Sequence, residues 1–263
     1  MRRPIVAGNW KMHKSIAEAT ELTRGVVAGV GRMRGIEVVL CPPFTVLSTV
    51  GRLVKRRRIG IGAQDCHWEA SGAFTGEISV GMIRDAGAGY CLVGHSERRA
   101  LFGETNATVA KKTTALLAHG LIPITCVGET LAERQAGRTL AVLEDQLRVG
   151  LSSVPAAQAT QLVVAYEPVW AIGTGQNATP AQAQEAHAFI RQLLGRLFST
   201  AAAQAIRIQY GGSVKPENSA ELIQQPDIDG FLVGGASLNA ASFVAIAHAA
   251  AARPTSKESL CTP

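Results

Sequence analysis

The chain has 263 residues, 47% hydrophobic and 17% charged, with a formal net charge of +6 and a pI near 9.3. That is enough for one large core or two small ones, and the basic balance permits an anionic partner without naming it. No run approaches the roughly 18 consecutive apolar residues of a membrane span, and the apolar stretch before Asn9 is too short for a signal-peptide core, so no membrane partner and a cytoplasmic location are expected. The five cysteines, Cys41, Cys66, Cys91, Cys126 and Cys261, are an odd number. Three lie in or beside apolar runs, the habit of reduced, buried thiols in a reducing compartment. With no CxxC pair and no His/Cys cluster at zinc spacing, no metal site is expected.

Short apolar runs recur at residues 5–8, 36–40, 59–63, 89–93, 121–127, 162–166, 206–210 and 228–233. Most are continuous rather than alternating, as parallel strands covered on both faces are. Amphipathic stretches lie between them, among them 15–30, 104–119, 138–150 and 179–198. Ser15 with Glu18 and Thr179 with Gln182 have capping-box spacing, and Pro180 takes the first-turn position where a missing N–H costs nothing. Lys55, Arg56, Arg57 and Arg58 fall between a helical stretch and the third strand. Cations suit a helix C-terminus and no aromatic residues interleave with them, so the run reads as a solvated face and no nucleic-acid partner is expected. Strand and helix alternating eight times predict an α/β fold, a single-domain (β/α)8 TIM barrel. A doubly wound open sheet is the alternative, but no G-x-G-x-x-G follows the first strand. No linker breaks the pattern, so residues 1–263 are read as one domain with a polar, aperiodic tail over about 252–263 that is expected to fray.

Functional residues of such a barrel gather at the C-terminal ends of the strands. Residues 166–175 follow the sixth run with Glu167, Pro168, three apolar residues after Val169 and two glycines. Pro168 fixes its own φ and pushes Glu167 toward an extended conformation, so the carboxylate is aimed, and the glycines beyond suit a lid hinged beside a base. A surface glutamate before an ordinary loop is the bland alternative. Asn9 and Lys11 close the first strand and His95 the fourth. Singly, Lys11 reads equally as a surface charge, Asn9 as a turn former and His95 as a satisfied buried histidine. Together with Glu167 they set an amide, a cation, an imidazole and a carboxylate at one mouth. A short helix opening at His95 would disfavour the imidazolium. Glu97 reads equally as a partner for Lys11 and as a first-turn carboxylate facing the helix dipole. Gly211-Gly212-Ser213 and Gly234-Gly235, after the seventh and eighth runs, leave backbone N–H groups free for a phosphate.

Asn9-Trp10-Lys11-Met12, together with residues 72–79, 93–99, 166–175, 210–214 and 229–237, resemble the signature segments of the triosephosphate isomerase family, and the similarity runs from residue 4 to about 250. The resemblance implies an aldose–ketose isomerase, an intramolecular oxidoreductase that interconverts dihydroxyacetone phosphate and D-glyceraldehyde 3-phosphate without a cofactor, in glycolysis, gluconeogenesis and the pentose phosphate pathway. Carried over with the resemblance are Glu167 as base, neutral His95 as electrophile and proton shuttle, Lys11 as the charge facing phosphate and oxyanion, and Asn9 as a polar contact. Substrate-binding groups are implied at Gly173, Ser213, Gly234 and Gly235. Ser96 and Glu97 are implied as supports, and Ile172 and Leu232 as a clamp on the carboxylate under a closed lid, where desolvation would raise its basicity. The loop around Thr75 implies a homodimer, inserting into a neighbouring subunit near Lys11 and His95. A Schiff-base aldolase would need a lysine inside the barrel, and the strand runs have none. A non-catalytic barrel would be expected to have lost one of Asn9, Lys11, His95 and Glu167. Two departures stand out: Asp65 follows Gln64 where Asn is expected, which bears on interface contacts, and Gln176-Asn177-Ala178 ends the lid where a Lys is common, which bears on lid kinetics.

Overall fold

Each apolar run forms a strand in the computed structural model, which describes residues 2–172 and 178–253. The strands β1 (Ile5–Asn9), β2 (Glu37–Cys41), β3 (Ile59–Ala63), β4 (Tyr90–Val93), β5 (Ile122–Val127), β6 (Val163–Tyr166), β7 (Arg207–Tyr210) and β8 (Gly230–Val233) pair in parallel in sequence order, and β8 returns to β1 to close the barrel. Around them lie α1 (Ile16–Val30), α2 (Phe44–Val54), α3 (Val80–Asp85), α4 (Ser96–Leu101), α5 (Asn106–Ala118), α6 (Leu131–Gln135), α7 (Thr139–Gly150), α8 (Pro180–Leu197), α9 (Thr200–Ala205), α10 (Pro216–Ile223) and α11 (Ala240–Ala251). The chain folds as the single-domain (β/α)8 TIM barrel that its pattern predicts. No helix among the described residues is long and apolar enough to cross a membrane.

The continuous hydrophobicity of the strands has a direct cause. Ile5, Ala7, Val39, Cys41, Leu92, Ile124, Cys126, Val163, Ala165 and Leu232 fill the barrel interior. Their neighbours Val6, Val38, Leu40, Val93 and Val164 pack outward into the helical layer. Successive side chains point to opposite faces and both faces are dry, so neither calls for a polar residue. The helix starts are fixed locally: Ser15 caps α1 through a reciprocal pair with Glu18, and Thr179 caps α8 through one with Gln182, with Pro180 in the first turn. Cys41, Cys66, Cys91 and Cys126 are buried free thiols, and Cys261 and the predicted frayed tail beyond Arg253 lie outside the described residues.

At the other end of the barrel from the strand C-termini, one fully buried carboxylate ties the chain together. Asp229, just before β8, accepts from Arg2 Nε at 2.6 Å, Arg191 Nη2 at 2.5 Å, Arg253 Nη1 at 3.0 Å and the Ile208 N–H at 3.0 Å. Its own backbone N–H donates to Ile208 and its carbonyl accepts from Ile5, so it also splices β7 to β8 and β8 to β1. Removing the anion strands three guanidinium groups around a dry position. Asp229→Ala is therefore expected to lower the unfolding free energy by about 3–5 kcal/mol, read as a fall in the denaturant midpoint. A midpoint equal to wild type would show the arginines to be held by other partners.

Candidate active site

A cavity of about 600 Å³ at the C-terminal end of the strands is lined by Asn9, Lys11, His95, Glu167, Ile172, Ser213, Leu232, Gly234 and Gly235, among others. Gly173 lies outside the described residues, as does most of the predicted lid at 173–177. Ser96 and Glu97 sit beside the cavity in the first turn of α4.

Lys11 enters from a strained turn. Its φ is +49°, in the left-handed region, which costs an L-residue about 1–2 kcal/mol. Two hydrogen bonds hold it there: the Lys11 N–H donates to Asn9 Oδ1 at 2.9 Å, and Gln64 Nε2 donates to the Lys11 carbonyl at 2.9 Å while also reaching the Cys41 carbonyl at 2.9 Å. Asn9 thus acts as a turn former and a cavity-lining amide at once. The fully buried Trp10 ring fixes the peptide between them. Lys11 Nζ then meets Glu97 Oε1 at 2.5 Å. Both readings of Glu97 apply, since it is also the acidic residue of the first turn of α4.

His95 ends β4 and caps α4, its Nδ1 accepting the Glu97 N–H at 3.2 Å. Gly94 before it has φ +72°, and a side chain there would come within 3.0 Å of the Cys126 carbonyl and closer still to Arg99. The imidazole Nε2 lies 3.0 Å from Glu167 Oε1, and Glu167 Oε2 accepts the Ser96 N–H at 2.9 Å. Glu167 is 2% exposed. Its backbone passes so near Gly128 that a Cβ there would sit 1.7 Å from the Glu167 carbonyl oxygen, which only glycine permits.

These contacts set the protonation states. Burial alone would raise the Glu167 pKa, but the charge and hydrogen bond of His95 and the Ser96 N–H outweigh it and hold the carboxyl below the ordinary glutamate value. Two donors hold the anion in this arrangement, and the lid under which raised basicity is expected lies mostly outside the described residues. For His95, burial lowers the pKa and the Glu167 carboxylate more than restores it, pulling it above the ordinary histidine value against the predicted effect of the helix. The hydrogen bond at Nδ1 opposes that pull, because a nitrogen accepting a backbone N–H carries no proton of its own. Nε2 therefore holds a proton directed at Glu167. The backbone N–H is fixed in place, whereas the carboxylate can turn away.

Several buried residues that support this arrangement carry no motif of their own. Glu129, fully buried after β5, accepts from Trp170 Nε1 at 2.9 Å and from the Tyr166 hydroxyl at 3.1 Å, and Arg134 stands 3.3 Å away. It pins the start of the segment that follows Glu167. Glu104 Oε1 accepts the Gly94 N–H at 3.1 Å and pairs with Arg98 and Lys112, both of which also reach Asp65. The one available signal was a carboxylate at a strand end for Glu129. Asp65 was visible only as a departure from the expected Asn.

The triosephosphate isomerase family model matches residues 4–250. The chain is 59% identical over 248 residues to the triosephosphate isomerase of Moorella thermoacetica, covering 94% of this chain and 99% of that one. It is 54% identical over 248 residues to that of Chloroflexus aurantiacus, with 94% and 99% covered, and 53% identical over 246 residues to that of Trichlorobacter lovleyi, with 94% and 98% covered.

A carboxyl whose native pKa is lowered stabilises the fold above its unfolded value and loses that contribution as pH falls through the native one. The unfolding free energy of wild type minus that of Glu167→Gln should rise as pH falls through the histidine range, because the variant loses the carboxylate that raises His95, and should shrink below about 4.5. A difference that goes on growing below about 4.5 would show that the carboxyl is not held as an anion.

Proposed function

The chain belongs to the triosephosphate isomerase family, an isomerase of triose phosphates, and on that premise we propose that Glu167, His95, Lys11 and Asn9 perform the interconversion of dihydroxyacetone phosphate and D-glyceraldehyde 3-phosphate. The observation that carries this reading is the meeting of His95 Nε2 and Glu167 Oε1 at 3.0 Å inside a cavity that also holds Lys11. A neutral Nε2–H that donates to a carboxylate can donate equally to a carbonyl oxygen. When the substrate carbonyl takes that hydrogen bond, Glu167 is released to face the adjacent carbon.

Glu167 then removes the proton from C1 of dihydroxyacetone phosphate, and the electron pair moves to the C2 oxygen, which His95 protonates from Nε2. The ring takes back the proton of the C1 hydroxyl, and Glu167 returns its proton to C2, so that the aldose forms with no net loss or gain. Lys11 stabilises the developing oxyanion and the phosphate, and Asn9 holds the turn that presents it. Backbone N–H groups at Gly234 and Gly235, with Ser213, receive the phosphate. Gly173, the remaining phosphate contact implied by the family, lies outside the described residues. Ile172 and Leu232 on the cavity wall keep the carboxylate away from water. The family further supports a role in glycolysis and gluconeogenesis, with a link to the pentose phosphate pathway, and a cytoplasmic location with them.

We further read residues 1–263 as one domain that works as a homodimer. Met12, Phe44, Phe74 and Phe102 are exposed apolar side chains on the segments after β1, β2, β3 and β4, and Phe74 is next to Thr75 in its loop. Exposed apolar side chains on four successive segments at this end of the barrel suit burial in a neighbour.

A coupled spectrophotometric assay with glyceraldehyde 3-phosphate tests the activity. Glu167→Asp, which retracts the carboxylate by one methylene, should lower kcat by about 10²-fold with little change in KM; full turnover would remove Glu167 from the mechanism. Sedimentation at micromolar concentration should report twice the 27.6 kDa chain mass, and a monomer would overturn the loop insertion.

A further inference from the structure

We propose that the end of the barrel opposite the cavity is a docking surface for the phosphodiester backbone of duplex nucleic acid, formed by Arg32, Arg34, Lys55, Arg56, Arg57 and Arg58. In the sequence, residues 55–58 stand alone as a helix end. The fold gives them company: α1 and α2 pack side by side, Arg32 and Arg34 lie in the turn from α1 into β2, and residues 55–58 in the turn from α2 into β3. Because β2 and β3 pair with Val38 opposite Ile59, the two turns enter neighbouring strands about 4.8 Å apart.

All six side chains are exposed and, among the described residues, none of them meets a carboxylate, whereas Arg2, Arg98, Arg134, Arg191, Arg207 and Arg253 each do. Glu37, the acidic residue at the start of β2, is engaged by Arg207 and Tyr90. The chain has 26 Lys and Arg against 20 Asp and Glu. The six gathered in these two turns equal in number the chain's net charge of +6. A patch whose cations have no carboxylate partner among the described residues is free to exchange counterions for a polyanion.

The chemistry of the patch selects the polyanion. Five of the six are guanidinium groups, whose planar fork matches phosphate oxygens. No large apolar or aromatic side chain is exposed within it, so it offers neither a stacking platform for unpaired bases nor a wedge for a bilayer. What remains is sequence-independent contact with a stiff, regularly charged backbone. This revises the expectation of no nucleic-acid partner, which weighed residues 55–58 by themselves. The cavity, at the opposite end, stays open while the surface is occupied.

Fluorescence anisotropy of the full chain with a labelled RNA duplex and the matching DNA duplex, from about 50 to about 200 mM salt, tests this. Binding at low salt should weaken with a log–log slope of about −5 if six phosphates are met. The triple variant Arg56→Gln/Arg57→Gln/Arg58→Gln should lose at least about tenfold in affinity and flatten the slope by about 2.7. A control of equal charge loss elsewhere, Arg24→Gln/Arg148→Gln/Arg196→Gln, should change affinity less than about threefold, with kcat unchanged in both variants. Binding of either duplex supports the proposal, and the tighter of the two names the source. No binding at low salt, equal losses in the two variants, or tighter binding to phosphatidylserine vesicles than to either duplex would overturn it.

Discussion

The contact on which the site depends is a carboxylate taken out of water and held by two N–H donors from another strand end. Glu167 leaves β6 and meets the imidazole and the Ser96 N–H that begin α4 after β4. β5 lies between those strands, so the donors must reach across it. Gly128, where β5 ends, is the residue that makes the approach possible, because any side chain there would collide with the Glu167 backbone. A closed barrel brings three such ends to a fixed separation, which no single loop could do. An anion buried without these donors would protonate instead.

The surrounding residues share one logic, in which strain at the cavity is held by satisfied polar groups behind it. Lys11 occupies a left-handed backbone conformation because Asn9 and Gln64 hold its N–H and carbonyl. Gly94 is turned by Glu104 at its N–H and by Arg99 at its carbonyl, at 3.1 and 2.7 Å. Glu104 is in turn fixed by Arg98 and Lys112, and Asp65 joins both cations, so two carboxylates and two cations form a closed set. Burial pushes the Asp65 pKa up despite Lys112 and Arg98. Its carboxylate form therefore relies on that pairing, and the departure from Asn makes the set electrically even.

The barrel was legible in the sequence because its strands are dry on both faces, which writes eight continuous runs with helices between them. The short helices α6 and α9 were not legible, since five or six residues span too few turns to show a period. In the site, residues at strand ends with distinctive chemistry could be read: Asn9, Lys11, His95, Glu167 and the glycine pairs. The protonation balance could not, because it depends on a distance between residues 95 and 167 that no local pattern encodes. Glu129 and Glu104 escaped notice for a similar reason: an acidic residue in a loop looks solvated until the fold buries it beneath Trp170 or Gly94.

The pairing of charges inside the cavity also constrains how a phosphate can be held there. Lys11 is matched by Glu97, and His95 faces Glu167, so neither cation-forming group stands alone. An arriving dianion must draw on something besides a free cation. On the proposed function, the 3-10 turn that opens at Gly235, just past β8, would provide it through the partial positive charge of its first backbone N–H groups. A Cβ on Gly234 would lie 3.9 Å from Lys11 Nζ, which leaves the ammonium beside that backbone, where a phosphate on the N–H groups can share it with Glu97. On the proposed function, fixed dipoles would supply the grip, and the lysine would add charge at the boundary between phosphate and reacting carbons. A lysine left unpaired would hold the phosphate more tightly in ground state and transition state alike, which strengthens binding without speeding the proton transfer.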